Sequence, residues 1–168
     1  MQTQVILNQR AGELLPNASS KKGLCASKYA VLFTSEKATR AAVAVASSCA
    51  GQRNACLEIL VMQLVPLREE LDHPTRIDPN ISLAVAIANE AGTDSVTVSI
   101  CFCRNIVEGM SHTVNRETPI VIGVRRRWRW SWERRVAMKL MNCGYRIYCV
   151  GDPLLLVNSP AVPESSVY

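Results

Sequence analysis

One stretch of the sequence decides the fold class: Cys56-Leu-Glu-Ile-Leu-Val-Met-Gln-Leu-Val65, which ends at Pro66. A run this continuously apolar is typical of a central strand in a parallel sheet, because such a strand is buried on both faces. An edge strand with one face in water would alternate between apolar and polar residues. The stretch therefore predicts a sheet that is covered by helices on both sides.

Strand and helix patterns alternate on either side of this stretch. Before it, a strand pattern at 28–34 leads into a helix from Glu36 to about Ala50, with Thr34 or Ser35 as its cap and Gly51 as its stop. The later patterns are a helix at 81–91 capped by Asn80, a strand at 95–103, a helix at about 105–116, a strand at 119–124, a helix at 136–143 and a strand at 145–150. This order predicts a doubly wound α/β domain, with a five-stranded parallel sheet and helices on both faces.

The two ends of the chain carry weaker patterns. Residues 1–27 are polar and mixed, so we expect a partly flexible leader there, followed by the α/β domain at 28–152 and a C-terminal tail at 153–168. No apolar run approaches the roughly 20 residues that a membrane helix needs. The first residues also lack the pattern of a secretory signal. We therefore expect a cytoplasmic protein without a transmembrane segment.

The composition excludes several classes of protein. With 48% hydrophobic and 20% charged residues among 168, the chain is typical of a globular domain and unlike a disordered one. The sequence has no P-loop, no zinc signature and no Ser-His-Asp order, so we expect no catalytic residue and no metal site. His73 and His112 each stand alone in a polar stretch and are expected at the surface.

The seven cysteines include no Cys-x-x-Cys pair, which argues against a zinc finger or the usual redox motif. Most lie in apolar surroundings, where reduced cysteines pack as small apolar residues. One pair differs from the others. Cys101 and Cys103 would share one face of a strand, and this arrangement hints at metal or redox chemistry.

The net charge is concentrated in one segment, Arg125-Arg-Arg-Trp-Arg-Trp-Ser-Trp-Glu-Arg-Arg135. These eleven residues hold six arginines, all three tryptophans and one acid, and they carry +5, the net charge of the whole chain. The segment directly follows the apolar run at 120–124. Because α/β proteins bind their ligands at the ends of strands, the segment is the main clue to function.

The chain from Lys28 to Val150 resembles a universal stress protein, a small α/β domain of the adenine-nucleotide α-hydrolase-like class. The resemblance rests on the order of elements and on four short phrases, at 35–42, 60–66, 118–123 and 136–137 leading into 145–150. It implies a homodimeric, non-catalytic regulatory or interaction module. It also implies a place for ATP in those members that carry Gly-x-x-Gly, nine residues and then Gly-Ser or Gly-Thr after the fourth strand.

The sequence departs from that motif. Gly123 matches the first glycine, but Arg126 stands at the second, and counting nine residues onward reaches Val136-Ala137. A shifted register reaches Arg134-Arg135, which offers neither glycine nor a hydroxyl. Glycine matters at such positions because the backbone must approach a phosphate closely.

The acidic residue that the resemblance implies at the end of the first strand also has no counterpart around Thr34 and Ser35. We therefore expect no bound cofactor, with ATP and other adenine nucleotides disfavoured.

Three interpretations of the arginine–tryptophan segment stay open. In the first, it binds an anion such as a nucleotide, another phosphate or a nucleic acid, since arginine bonds phosphates and tryptophan stacks on bases. In the second, it contacts acidic lipid at a membrane surface. In the third, it forms packing or dimer contacts, because tryptophan and arginine are enriched at interfaces. Its arginines then face solvent, an acidic protein partner or acids of the chain such as Glu69, Glu70 and Asp72.

The residues that these interpretations use overlap. Candidate ligand-binding residues are Thr34, Ser35, Gly123, Arg125, Arg126, Arg127, Trp128 and Arg129. Candidate interface residues are Trp128, Trp130, Trp132, Arg134 and Arg135. A further alternative is that the chain is the soluble regulatory domain of a larger transport protein.

Overall fold

The computed structural model describes residues 4–8, 27–69, 79–91, 96–124 and 131–151, with residues 4–8 described by their backbone alone. The described residues form six strands and four helices. In chain order these are β1 (Gln4–Asn8), β2 (Lys28–Leu32), α1 (Glu36–Arg53), β3 (Cys56–Leu64), α2 (Asn80–Glu90), β4 (Val96–Cys103), α3 (Ile106–Thr113), β5 (Ile120–Gly123), α4 (Trp132–Asn142) and β6 (Ile147–Val150).

The strands form one parallel sheet in the order β1-β4-β3-β2-β5-β6. From β2 the chain moves outward through β3 to β4, and it then returns to the other side of β2 as β5. The sheet therefore reverses direction between β2 and β5, and the carboxyl ends of these two strands flank the crevice where doubly wound folds bind ligands. The predicted α/β fold is confirmed.

A sixth strand extends the predicted sheet at one edge. The structure pairs β1 with β4 from Gln4 opposite Thr97 to Asn8 opposite Cys101. The sequence pattern placed these residues in the leader, because three consecutive apolar residues at 5–7 are too few to indicate a strand. Their backbone bonds are made with β4, which follows almost 90 residues later, so local periodicity carries no sign of them.

The sheet separates two apolar layers. Alternate strand residues such as Val31 and Ile59 pack against α1 and α2 on one face. Their neighbours, such as Leu32 and Leu60, pack against α3 and α4 on the other face. The continuous apolar run of β3 thus fills both layers, as a central strand must.

The polar interruption in β3, Glu58, is buried with two partners. Its carboxylate lies 2.6 Å from Nζ of Lys28 on β2 and accepts a 2.6 Å hydrogen bond from the hydroxyl of Ser99 on β4. A buried carboxylate without partners would be strongly destabilising, whereas a paired and hydrogen-bonded one is tolerated. The pairing explains how a charged residue occupies the middle of the sheet.

Several helix ends differ from those predicted. Helix α1 continues past Gly51 to Arg53 and ends at Asn54, whose backbone is left-handed with φ 49°. A glycine can lie within a helix at a cost of about 1 kcal/mol, and asparagine is the next most suitable residue for a left-handed helix end. Helix α2 begins at Asn80, after Pro79, so Asn80 is not its cap. Helix α4 begins at Trp132, four residues before the predicted start.

Five cysteines of the described residues are free: Cys49, Cys101, Cys103, Cys143 and Cys149. Cys56, at the start of β3, is disulfide-bonded, so the expectation of reduced cysteines is wrong for this residue. Spacing along the sequence does not reveal which thiols meet in three dimensions. Across the described ranges, no helix combines the length and the apolar character that crossing a membrane requires.

Candidate functional site

The end of β2 is tied directly to the end of β5. The hydroxyl of Thr34 donates a 3.0 Å hydrogen bond to the backbone carbonyl of Gly123. The backbone N–H of Thr34 in turn donates to the hydroxyl of Thr39, which is fully buried in the first turns of α1. The structure thus brings two of the candidate residues, Thr34 and Gly123, together at the point where the sheet reverses direction.

The third candidate in this place, Ser35, is the residue that precedes α1. Its extended backbone, with φ −153° and ψ 155°, is the geometry of a helix cap, but within the described residues its side chain makes no capping hydrogen bond. The backbone carbonyl of Ser35 does accept the first helical bond, from Thr39 at 2.8 Å. The predicted cap position is therefore right, but the Ser35 hydroxyl does not accept the hydrogen bond from the helix backbone that a capping side chain usually accepts.

Gly123 is held against the start of α1. A Cβ at this position would lie 2.0 Å from the carbonyl oxygen of Ala38 and 2.4 Å from its carbon. Both atoms belong to the backbone, so no side-chain rotation can relieve the clash. Only glycine fits here, and packing between helix and strand is a sufficient reason for it.

The acid nearest this edge is engaged with a neighbouring base. Glu36, in the first turn of α1, accepts hydrogen bonds of 3.2 Å and 3.1 Å from Nε and Nη2 of Arg40. The other terminal nitrogen of Arg40 pairs with Glu90 at the end of α2. This exposed chain of charges links α1 to α2 across one face of the sheet.

Helix α4 starts on the other side of the crevice, because the helix of a parallel crossover runs back from the carboxyl edge of the sheet. Its cap is Ser131, whose hydroxyl accepts a 3.3 Å bond from the backbone N–H of Arg134. The sequence pattern predicted that this helix begins at Val136, so it did not identify Ser131 as the cap. The structure starts α4 four residues earlier, at Trp132.

The residues of the arginine–tryptophan segment that belong to α4 differ in exposure. Trp132 is 39% exposed, Arg135 is exposed and Arg134 is half-buried, while Glu133 between them is buried. The rest of the candidate set lies outside the described residues: Arg125, Arg126, Arg127, Trp128, Arg129 and Trp130.

Sequence reasoning missed three contributors to this edge: the Ala38 carbonyl, the Thr39 hydroxyl and the Ser131 cap. A signal existed for Ser131, since a serine followed two residues later by an acid often opens a helix. No local signal identifies the carbonyl of Ala38, because its role depends on a strand that comes more than 80 residues later.

A second group with unusual electrostatics lies on β4. A hydrogen bond from the Cys103 thiol lowers the pKa of the Cys101 thiol to about 6, with help from Thr113 and His112 and against the effect of burial. The same hydrogen bond, together with burial, raises the pKa of Cys103 well above its ordinary value. The two thiols therefore behave as one coupled pair.

Comparison with known proteins supports the fold directly. The structure matches a universal stress protein from Archaeoglobus fulgidus with a TM-score of 0.55 and 15% identity, covering 77% of this chain and 96% of that one. The fold is that of the universal stress proteins. A family member from Burkholderia pseudomallei matches with a TM-score of 0.52 and 13% identity, over 78% of this chain and 100% of the other.

A third similar structure is the Archaeoglobus fulgidus protein in complex with dAMP, with a TM-score of 0.52 and 16% identity over 74% of this chain and 98% of that one. No protein-family model matches the sequence, and no curated protein matches it. The universal-stress-protein fold is thus present at sequence identities that indicate shape and do not identify an activity.

The contact at Gly123 generates a stability prediction with an internal control. We expect Gly123→Ala to lower the free energy of unfolding by about 3 kcal/mol, at the upper end of overpacking effects, because the clash is with backbone. Gly51→Ala is the matched control, since nothing lies within 4 Å of its added Cβ. In an exposed helical position this change should stabilise by up to about 1 kcal/mol.

Urea denaturation followed by circular dichroism measures both changes. A Gly123→Ala protein as stable as the wild type would show that α1 and β5 do not approach each other this closely.

Proposed function

We propose that this protein is a non-catalytic regulatory or interaction module with the universal-stress-protein fold, that it acts as a homodimer, and that adenine-nucleotide binding in it is weak or lost. One observation carries the proposal. Gly123, the residue that matches the first glycine of the nucleotide motif, is required by its contact with the carbonyl of Ala38. Its presence therefore needs no phosphate to explain it.

The other groups at this edge support the same conclusion. The Thr34 hydroxyl donates its hydrogen bond to the carbonyl of Gly123, and the Glu36 carboxylate accepts a hydrogen bond from Arg40. The second motif glycine is replaced by Arg126 in the sequence. Groups that would hold a nucleotide in this place are thus either substituted or bonded to one another.

A nucleotide titration tests this part of the proposal. A universal stress protein of similar fold binds dAMP, so ATP, ADP and dAMP are the ligands to use. We expect millimolar nucleotide to raise the melting temperature by less than about 2 °C, since a Kd no tighter than the ligand concentration stabilises by at most about 0.4 kcal/mol. A saturable rise of several degrees at micromolar nucleotide would refute the loss of binding.

Inorganic triphosphate serves as the control ligand in the same titration. If it raises the melting temperature as much as ATP does, the effect comes from phosphate at the arginines and not from recognition of adenine.

The homodimer is supported by the surface beside β6. This strand ends the described sheet and has β5 as its neighbour on one side only. Next to it, α4 exposes three large apolar side chains: Trp132 at 39%, Met138 at 48% and Met141 at 50%. Met138 and Met141 stand three residues apart and are therefore neighbours on the helix surface, and exposed apolar groups of this size favour association with another protein.

Light scattering tests the dimer. We expect the wild type to show twice the chain mass of 18.5 kDa and the double variant Trp132→Glu/Met138→Glu to show the single mass. The control is Leu67→Glu, because Leu67 is 88% exposed in the loop after β3, away from α4. A monomeric wild type, or a double variant that stays dimeric, would contradict the proposal.

A second candidate function, binding of an anionic ligand, is favoured by the charge at the start of α4. Arg134 and Arg135 lie in the first turn, where the helix dipole is positive and a basic residue is unfavourable. Neither arginine forms an ion pair with a residue of the described ranges. A bound anion would stabilise both the arginines and the helix start.

Fluorescence anisotropy with a labelled single-stranded oligonucleotide tests this candidate. We expect Arg134→Gln/Arg135→Gln to weaken binding and to reduce the salt dependence, log K against log salt, by about 1.4, which corresponds to two lost phosphate contacts. Arg53→Gln/Arg116→Gln removes the same charge from exposed positions elsewhere and should leave that dependence nearly unchanged. Equal effects of the two double variants would show that binding depends on the overall positive charge of the protein and not on Arg134 and Arg135.

A further inference from the structure

The chain makes a tight turn directly after β3. The backbone N–H of Glu69 donates a 3.0 Å hydrogen bond to the carbonyl of Pro66, which closes a four-residue turn. Leu67 and Arg68 are the two central residues of this turn, where Leu67 is 88% exposed and Arg68 is exposed as well. The tip of the turn thus presents a leucine and an arginine to solvent.

Arg104, the residue after β4, holds this turn in place. Its Nη1 donates hydrogen bonds to the carbonyls of Val65, at 3.0 Å, and of Pro66, and its Nη2 donates a 2.6 Å hydrogen bond to the carbonyl of Glu69. One guanidinium group therefore fixes both ends of the turn. A turn that is already ordered loses little conformational entropy when its tip binds a partner.

A second exposed leucine precedes the turn. Leu64 is the last residue of β3 and is 52% exposed. It alternates with Leu60 and Met62, so its side chain leaves the strand on the face that α3 and α4 cover. A single exposed leucine is ordinary on a protein surface. Two leucines three residues apart at the carboxyl edge of the sheet make this edge locally apolar.

Positive charge lies at the same edge. Helix α4 also begins there, on the face to which Leu64 belongs, and its first turn carries Arg134 and Arg135. Only β2 separates β3 from β5, so the carboxyl ends of β3 and β5 are about 10 Å apart. By sequence, residues 66–79 carry a charge of −2 and residues 125–135 carry +5. The two segments that follow these strand ends therefore bring a net charge of +3 to the edge.

The combination of leucine and arginine selects the kind of partner. Arginine attracts any polyanion, but the bases of a nucleic acid stack on aromatic rings, and a leucine adds nothing to that binding. An acidic bilayer offers anionic headgroups to arginine and, just beneath them, hydrocarbon to leucine.

We propose that this edge docks on an anionic lipid surface. Leu64 and Leu67 enter the boundary between headgroups and acyl chains, while Arg68, Arg134 and Arg135 contact the headgroups. The inference shares the two arginines of α4 with the anionic-ligand candidate described above and names the class of ligand. The two leucines separate it from that candidate, because an oligonucleotide does not need them.

Co-sedimentation of the whole chain with phosphatidylcholine vesicles, with and without phosphatidylserine, tests the proposal. We expect the wild type to bind the vesicles that contain phosphatidylserine and to leave pure phosphatidylcholine vesicles unbound. Leu64→Gln/Leu67→Gln should weaken the binding by at least about tenfold, because the transfer of two leucines out of water is lost. Arg134→Gln/Arg135→Gln should weaken it by about 30-fold, which is about fivefold for each arginine.

Two controls match these variants. Val45→Gln removes an apolar side chain that is 44% exposed on α1, the helix that covers the other face of the sheet. Arg53→Gln/Arg116→Gln removes the same charge from exposed positions at the opposite edge, where α1 ends and β5 begins. We expect both to bind phosphatidylserine vesicles like the wild type. The circular dichroism of every variant should match that of the wild type, because the changed side chains are exposed or half-buried.

Oligonucleotide binding by the same proteins distinguishes the possible failures. We expect Leu64→Gln/Leu67→Gln to bind a single-stranded oligonucleotide as the wild type does, since its arginines are unchanged. A wild type that binds the oligonucleotide and no phosphatidylserine vesicle would overturn the lipid inference and leave the anionic-ligand candidate standing. A leucine variant that binds these vesicles as tightly as the wild type would also overturn the inference. A wild type that binds neither would overturn both.

Discussion

The close approach of α1 to the end of β5 is the contact on which the functional edge of this structure depends. The backbone of Ala38 occupies the space beside Gly123 that any side chain would need, and Thr34 bonds to the same glycine from β2. These contacts hold together the two strands at which the sheet reverses direction. Because α1 also contacts β3 and β6, its position sets the arrangement of most of the sheet around the crevice.

This constraint changes how the nucleotide motif is understood. A glycine that is needed for packing does not indicate a phosphate site. The match of Gly123 to the first glycine of the nucleotide motif is therefore no evidence for nucleotide binding. What remains at this edge is positive charge without described acidic partners, at Arg134 and Arg135. The coupled thiols of Cys101 and Cys103, in contrast, are buried on β4 beneath α3. The fold thus separates a positively charged helix start from a buried pair of thiols.

Strands and helices could be predicted well where burial imposes a regular spacing of apolar residues along the sequence. The strands at 56–65 and 95–103 and the helix after Thr34 follow from apolar runs and from cap residues. Element ends were harder, since Gly51 lies within α1 and Asn54 ends it. The start of α4 was hidden because arginine and tryptophan occur in loops and helices alike. The candidate neighbours Thr34 and Gly123 do meet, as their places at strand ends imply.

The sequence by itself determined the fold class, the two-sided covering of the sheet and the location of the net charge, because these depend on composition and on periodicity within single elements. Only the tertiary structure decided that β1 pairs with β4, that Ala38 presses on Gly123, and that Cys101 and Cys103 converge under Gly109. Each of these is a contact made across a strand register or a helix–sheet interface. Such contacts depend on how whole elements pack, and local patterns do not encode that packing.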